Sequence, residues 1–307
     1  MQPEEIYLMR QQEGNYWWHI SRRKILQSVL SRFILRHPEF ISLAGQAASP
    51  CHSGLDPESR QKNKQKNSCS FLDSRPCLPV GKVRRNDSGL RILDVGCGTG
   101  GNFRWLRQFG EVTGVDSNET AVELANSAGV EGLYFTPRAE SRGYLQTNAV
   151  WGRAEDLPFE DREFDLVTAF DVLEHLSDER RALREWGRVL HPQGLLFVSV
   201  PAYPWLFGPH DRALEHYRRY NLPDLMKLLK DNDFQPIFSS YIFCLTFPLF
   251  LFQRWLAKSS RRDIQQYIPV PKMVNDLLIG LGSIESGWLK FAKFPFGSSI
   301  VVLAKKE

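Results

Sequence analysis

The residues with the clearest chemical potential are two carboxylates that bracket a run of glycines. The stretch reads Arg91-Ile-Leu-Asp94-Val-Gly96-Cys97-Gly98-Thr-Gly100-Gly101, and Asp116 closes the apolar segment Glu111–Val115 that follows. Glycine lets the backbone take positive φ and come close to a ligand. Arg91 to Val95 has the pattern of a short buried strand. Asn102 to Phe109 has the pattern of a helix whose first N–H groups would face the same spot. Strand, turn and helix start form a cradle for a nucleotide-like ligand. Gly96, Gly98 and Gly101 also satisfy the G-x-G-x-x-G spacing of dinucleotide sites, so the glycines alone do not choose the ligand. Asp94 tilts the choice, because a carboxylate behind the turn opposes a phosphate and suits a ligand carrying an ammonium group. Asp116 can accept both hydroxyls of a ribose, in an adenosyl or a nicotinamide cofactor.

Three more segments follow in order: Ala154-Glu155-Asp156-Leu157-Pro158-Phe159, Phe164 to Phe170, and Asp171-Val172-Leu173-Glu174-His175-Leu176. On these motifs the chain resembles the class I S-adenosylmethionine-dependent methyltransferases, in particular the small-molecule group with an Asp-x-Gly-x-Gly-x-Gly turn. The resemblance runs from Tyr16-Trp17-Trp18-His19 to Pro295-Phe296-Gly297 and the last strand. It implies a doubly wound, Rossmann-like α/β sheet with helices on both faces and a C-terminal antiparallel strand. It implies S-adenosyl-L-methionine as cofactor, held by Asp94, Gly96, Cys97, Gly98, Gly100, Asp116, Ser117, Ala154, Glu155 and Phe170. Cys97 reads as a small side chain that fits the turn rather than as a catalytic thiol. One position departs from the family. Gly152-Arg153-Ala154-Glu155 stands where Gly-Asp-Ala-Glu is usual, and that Asp accepts from the adenine amino group. Arginine has no acceptor. Adenine recognition is therefore expected from backbone near Ala154 or from Glu155.

Ligands of open α/β sheets bind beyond the carboxyl ends of the strands. The loop after Val200 is the most chemically loaded there, with Tyr203, Trp205, His210 and Asp211, then His216-Tyr217-Arg218-Arg219-Tyr220. Methyl transfer is an in-line displacement for which the protein supplies alignment and a dry site. A hydroxyl acceptor would need a base, for which His210, His216 and His175 are the candidates. Trp17, Trp18, Tyr203, Asp211, Tyr217 and Arg218 are the candidate acceptor contacts. Trp17, Trp18 and His19 open a helix that the resemblance places over the cofactor site, and Arg22 and Arg23 could meet the cofactor carboxylate. His210, Asp211 and His216 lack a compact ligand pair, so no metal is expected.

These residues need a scaffold of alternating strands and helices. Strands are expected at 91–95, 111–115, 147–151, 164–170, 195–200, 234–241 and 299–304. Helices are expected from Trp17 to Leu35, from Thr120 to Ala128, after an Asp178 cap and after an Asn221 cap. The chain divides into an N-terminal cap helix (1–45), an insert (46–88) and a methyltransferase core (89–307) carrying a hydrophobic helical insertion at about 241–295. Tyr241 to Ala257 is rich in Phe and Leu, but it is interrupted by Pro248 and shorter than the ~20 residues of a spanning helix. It reads first as a hairpin packed on the domain's own core or on a second subunit of a homodimer. With Arg254, Lys258, Arg261 and Arg262 beside it, 241–262 reads second as a peripheral membrane contact.

Composition narrows the partners. The 307 residues are 42% hydrophobic, as in a soluble globular protein, and carry a formal charge of +4. The insert alone holds eight basic residues against four acids, which accounts for the whole +4. A neutral folded body is a poor polyanion binder, so the expected partner is a small-molecule acceptor and not nucleic acid. Glu4 and Glu5 without an apolar run do not resemble a signal peptide. The five cysteines show no paired or metal spacing, which suits a reducing cytoplasm, with the inner membrane face as the peripheral variant. A nicotinamide-dependent oxidoreductase and a non-catalytic cofactor-binding module are the rival functions. The insert is polar, aperiodic and repetitive (Leu55-Asp-Pro-Glu-Ser-Arg60, Phe71-Leu-Asp-Ser-Arg75), similar to translated bacterial palindromic repeats, and reads as a tolerated disordered loop; a basic docking arm is the alternative. Replacing 46–88 by a short Gly/Ser linker should leave the melting temperature and cofactor affinity unchanged; a large loss of either would show the segment to be structural.

Overall fold

The computed structural model describes residues 3–36, 89–127, 148–258 and 270–307. The 46–88 insert, the 129–146 connection and the basic residues Arg261 and Arg262 lie outside the described residues.

Seven strands form one sheet: β1 (Leu90–Val95), β2 (Gly110–Asp116), β3 (Asn148–Trp151), β4 (Phe164–Phe170), β5 (Leu190–Pro201), β6 (Phe234–Ile242) and β7 (Ser299–Lys306). Their order is β3-β2-β1-β4-β5-β7-β6. The first five run parallel, and β7 lies antiparallel between β5 and β6. This is the doubly wound α/β sheet that the alternating pattern predicts. The central strands are mostly apolar because helices cover both faces, with Asp94 of β1 and Thr168 of β4 as buried polar exceptions. Leu166, Leu196, Phe197, Val302 and Leu303 are all fully buried.

The helices are α1 (Pro3–Glu13), α2 (Trp17–Arg36), α3 (Phe103–Leu106), α4 (Glu119–Ser127), α5 (Glu179–Val189), α6 (Pro209–Ala213), α7 (Leu222–Lys230), α8 (Phe247–Lys258) and α9 (Lys272–Leu289). Ile25, Leu26, Val29, Leu30 and Ile34 of α2 are buried on the sheet, as their 3–4 spacing requires. Asp178 caps α5 by accepting from Arg181 N–H at 3.0 Å. Asn221 also sits at a helix start, but its side chain bonds Asp224 instead of the backbone.

Three local expectations need correction. The helix after the glycines has four residues, not the eight of 102–109, because the chain must turn at once to start β2 at Gly110. α1 was not foreseen as an element, although Pro3, Glu4 and Glu5 at its start are what a helix N-terminus favours. β5 starts at Leu190 rather than Leu195. His191–Gly194 bulge between the Phe164–Leu190 and Leu166–Leu195 pairs, with Gln193 at φ 67°.

The hydrophobic region after β6 packs on the protein through one face only: Phe243, Phe247, Leu278 and Leu289 are buried, while Leu249, Phe252, Leu277 and Ile284 are exposed. α9 lies beside α2 through Trp17 N–H to Asn275 Oδ1 (2.9 Å), Lys24 to Ser283 (2.8 Å), Ser28 to Ser286 O (2.6 Å) and Arg32 to Leu289 O (2.8 Å). The partner numbers rise together, so the two helices run parallel. Small residues allow the approach: a Cβ on Gly282 would collide with the Ser21 side chain. No described helix is long and apolar enough to cross a membrane. Gly282→Val should force α2 and α9 apart and cost about 1–3 kcal/mol as an overpacked contact. Chemical denaturation should read this as a lowered midpoint; an unchanged midpoint would mean that the seam yields freely.

Candidate active site

The glycine turn is shaped by its backbone. Gly96, Gly98 and Gly100 have φ of 66°, 53° and 81°, while Gly101 does not take positive φ. The three left-handed residues thus follow the Asp-x-Gly-x-Gly-x-Gly spacing from Asp94 and not the dinucleotide spacing that ends on Gly101. At Gly96 a Cβ would also meet Val172 at 2.6 Å, so the chain has no room for a side chain there.

Asp94 lies beneath this turn, 1% exposed. Its carboxylate accepts from Thr168 Oγ1 at 2.6 Å and from Asn102 Nδ2 at 3.2 Å. Burial pushes its pKa up to about 6, against those two hydrogen bonds. Asp116 accepts from Gly98 N–H and Asn118 N–H, both at 2.9 Å, and so ties the turn to the end of β2. Burial raises its pKa as well. Cys97 is buried, its Sγ 3.7 Å from Gly98 O, and burial beside Asp94, Asp116 and Glu13 drives its pKa well up. It is a neutral packing residue, as its size suggests.

Glu13 is a third carboxylate here, and sequence reading missed it. It accepts from Thr99 Oγ1 at 2.6 Å, and burial raises its pKa. Arg10 donates to Leu124 O at 2.8 Å, and a Cβ on Gly98 would meet Met9 Cε at 3.0 Å. One face of α1 therefore lies on the glycine turn. Ile6, Met9 and Glu13, spaced three and four apart, carry the signal that marks this face.

α2 supplies the second cover. Trp18 stacks on Phe243 (6.1 Å, 11°) and Trp17 meets the same ring edge-on at 6.1 Å. Arg22 sits 5.0 Å from the Trp18 ring and 3.2 Å from Asp171 Oδ2. It also donates to Phe170 O at 3.4 Å. Arg22 is thus engaged at the end of β4. The Phe170 ring is core, packed on Trp105 and Phe197, so only its backbone can face a ligand at the end of β4.

Strain gathers at this edge. Asp171, Tyr203 and Phe243 have φ of 58°, 63° and 59°, and each lies just past the carboxyl end of a strand, β4, β5 or β6. Positive φ is unusual for bulky aromatic residues and clusters at functional sites. Tyr203 stacks on Tyr241 (5.4 Å, 13°) beside Phe247, so the strained residues carry an aromatic wall.

The 203–220 loop is organised by Asp211, which is 0% exposed. It accepts from Arg219 Nε at 2.6 Å and Gly208 N–H at 2.8 Å, with His216 Nδ1 at 3.3 Å. Burial by itself would raise its pKa, but His216, Arg219 and Gly208 together hold it far below the usual carboxylate range. Asp211 is therefore the hub of the loop rather than a surface contact for an acceptor. Arg218 is likewise engaged elsewhere, with Glu179 at 2.9 Å and Ser177 O at 3.1 Å. Tyr217 is exposed and donates its N–H to Glu174 O. His175 and His216 meet edge to face at 4.6 Å, while His210 lies on α6. His175 has an edge open to solvent, but desolvation by the groups packed around its ring and the neighbouring His216 lower its pKa to about 4.

In the segment after β3, Arg153 is 67% exposed and pairs with Glu155 at 3.7 Å. Ala154 O accepts from Trp186 Nε1 and Glu155 O from Arg181 Nε. Those two carbonyls are committed to α5, which leaves the Glu155 carboxylate as the nearby acceptor. Ser117 is exposed after β2, and its carbonyl accepts from Trp151 Nε1.

Residues 93–198 match the family model described as a methyltransferase domain. A probable S-adenosylmethionine-dependent methyltransferase of Mycobacterium tuberculosis, Rv3030, is 36% identical over 146 residues, 47% of this chain and 48% of that protein. The ubiquinone/menaquinone biosynthesis C-methyltransferase UbiE of Psychromonas ingrahamii is 33% identical over 148 residues, 47% of this chain and 55% of that protein. The chain spans about half the length of the curated relatives it matches. Among solved structures, YcgJ of Bacillus subtilis is 20% identical, with a TM-score of 0.46 over 72% of this chain and 93% of that one. Residues 93–198, with an Asp94-x-Gly96-x-Gly98-x-Gly100 turn on β1 and Asp116 at the end of β2, thus match a methyltransferase domain and are similar to proteins named as S-adenosylmethionine-dependent methyltransferases.

Proposed function

We propose that this chain transfers a methyl group from S-adenosylmethionine to a small, lipophilic acceptor. The carrying observation is the set of three carboxylates, Asp94, Asp116 and Glu13, around a turn whose left-handed residues are Gly96, Gly98 and Gly100. A dinucleotide would bring its pyrophosphate against those carboxylates, whereas a ligand with a sulfonium and an ammonium group meets complementary charge. Bound S-adenosylmethionine supplies an already activated methyl group.

The protein's own contribution is position and exclusion of water. Asp116 presents its remaining acceptor capacity to a ribose, and Asp94 supports the turn from below. α1 covers the turn, and Trp17 and Trp18 of α2 cover the adjoining edge. The aromatic wall of Tyr203, Tyr241 and Phe247 suits a flat or prenyl-like apolar acceptor. A relative named for ubiquinone and menaquinone biosynthesis agrees with that class. Leu249 and Phe252 of α8 are exposed, and a peripheral contact through 241–262 would let such an acceptor arrive from a membrane interface. His175 stays neutral above its lowered pKa and, with His216 and His210, stands at the acceptor side as a proton acceptor for a hydroxyl.

Two measurements test this reading. Asp116→Ala should weaken S-adenosylhomocysteine binding by about 1.5–3 kcal/mol, the cost of hydrogen bonds to a charged group. Heat from NAD with none from S-adenosylhomocysteine would reject the assignment. The second measurement uses pH. A cationic ligand favours ionised Asp94, so binding below about pH 6 must first remove the Asp94 proton. Affinity should therefore fall as pH drops through about 6 and stay flat above it. Asp94→Asn should abolish that slope; an identical slope in the variant would place the titrating group elsewhere. His210→Ala and His216→Ala should impair turnover with cofactor affinity nearly intact, and full turnover in both would make these histidines structural.

A further inference from the structure

Glu174 has an environment that the methyl-transfer reading does not use. It is 1% exposed, and neither carboxylate oxygen has a hydrogen-bond partner. Leaving a buried carboxylate unsatisfied is costly, and such groups are paired or ligate metals. Asp171, Arg22 and Arg219 are its charged neighbours, and two imidazoles stand beside it: Glu174, His175 and His216 each offer a ligand atom, and the three lie within 4.8 Å of one another. We propose that Glu174, His175 and His216 bind one divalent transition-metal ion.

Four features support the site. Two histidines and one carboxylate are a recurring ligand set for zinc and for non-haem iron. Ligands about 2.0–2.2 Å from a shared ion stand roughly 3–4 Å apart, so the observed spread closes with small side-chain adjustments. His216 turns Nδ1 to Asp211 Oδ1 at 3.3 Å, which leaves Nε2 for the ion. A buried carboxylate behind a ligating histidine is the usual means of fixing its ring and tautomer. His175 is exposed, so an ion and further ligands can reach the cluster from solvent. The sequence hides this set because His216 lies on a loop that follows β5, while Glu174 and His175 follow β4. Asp211 gathers that loop and brings the two segments together.

Metal binding rests on these side chains alone. Its role in catalysis rests on the methyl-transfer reading: at the carboxyl edge of the sheet an ion would hold an oxygen of the acceptor and lower the pKa of its hydroxyl. His175 and His216 would then be ligands and not bases.

The test uses the full-length chain without a histidine tag, stripped with chelator and titrated with Co²⁺, in parallel with S-adenosylhomocysteine calorimetry. One Co²⁺ per chain is expected, with a visible spectrum of nitrogen and oxygen ligation and no thiolate charge-transfer band. Glu174→Gln and His216→Ala should each weaken uptake at least 10-fold. Asp211→Asn, which acts through His216, should weaken it by about 10–100-fold, as for other supports of a ligating histidine. His175→Ala, at an exposed position, keeps the test valid if the buried variants fail to fold. No stoichiometric uptake by the folded wild-type chain would overturn the site. Uptake unchanged in His175→Ala, or a thiolate band, would overturn it too. Co²⁺ uptake without adenosylhomocysteine heat would keep the metal site and reject the cofactor reading; the reverse result would reject the metal site alone.

Discussion

A carboxylate buried under a left-handed turn is the constraint on which the rest of this site depends. Asp94 reaches no solvent, yet it holds Thr168 on β4 and Asn102 just past the glycines. Those two bonds lock the end of β1 to the neighbouring strand and to the turn above it. Asp116 adds a third tie, from β2 to Gly98. The turn is thus fixed from two strands at once. Its glycines supply conformations that other residues reach only with strain, and its carboxylates supply a negative field. The shape alone would accept many nucleotides. Carboxylates beside it favour ligands that carry positive groups.

The covering elements follow from the same edge. α1 rests on the turn through Met9, Arg10 and Glu13, and α2 reaches β4 through Arg22. α2 is held in turn by α9, a helix about 258 positions later in the chain, through polar contacts in register. Glu285 of α9 accepts from Leu245 N–H at 3.3 Å, beside the strained Phe243 on which both tryptophans pack. A displacement of α9 would therefore be felt at the aromatic wall. The N-terminal and C-terminal segments thus pack against each other beside this edge of the sheet.

The loop beyond β5 shows how a buried pair can organise functional groups without touching a ligand. Asp211 and Arg219 are both buried, 2.6 Å apart, and the backbone around them returns to pair Ala202 with Tyr220. Replacing one partner of such a pair is far more disruptive than exchanging both for apolar groups. The same aspartate orients His216. The polar residues of this loop thus divide between Asp211, Arg218 and Arg219, which hold it, and His216, Tyr217 and Tyr203, with His175 of the segment after β4 packed against His216.

By itself the sequence determined what depends on near neighbours. The glycine run after an apolar strand, the carboxylates Asp94 and Asp116, the cap at Asp178, the 3–4 stripe of α2 and the alternation of strands and helices were all legible. Each is set by local backbone preference and by which face of an element is apolar. Gly101 shows the boundary of that legibility: the spacing left open which glycines turn the chain, and only the backbone shows that Gly96, Gly98 and Gly100 are the left-handed ones. Tertiary structure decided what depends on segments meeting across the fold. It placed α1 on the turn, paired α2 with α9, spent the Ala154 carbonyl on Trp186, and set Glu174 and His175 against His216. No periodicity links such residues in sequence. Their meeting is decided by how the sheet orders its strands and by which buried groups must find partners once water is excluded.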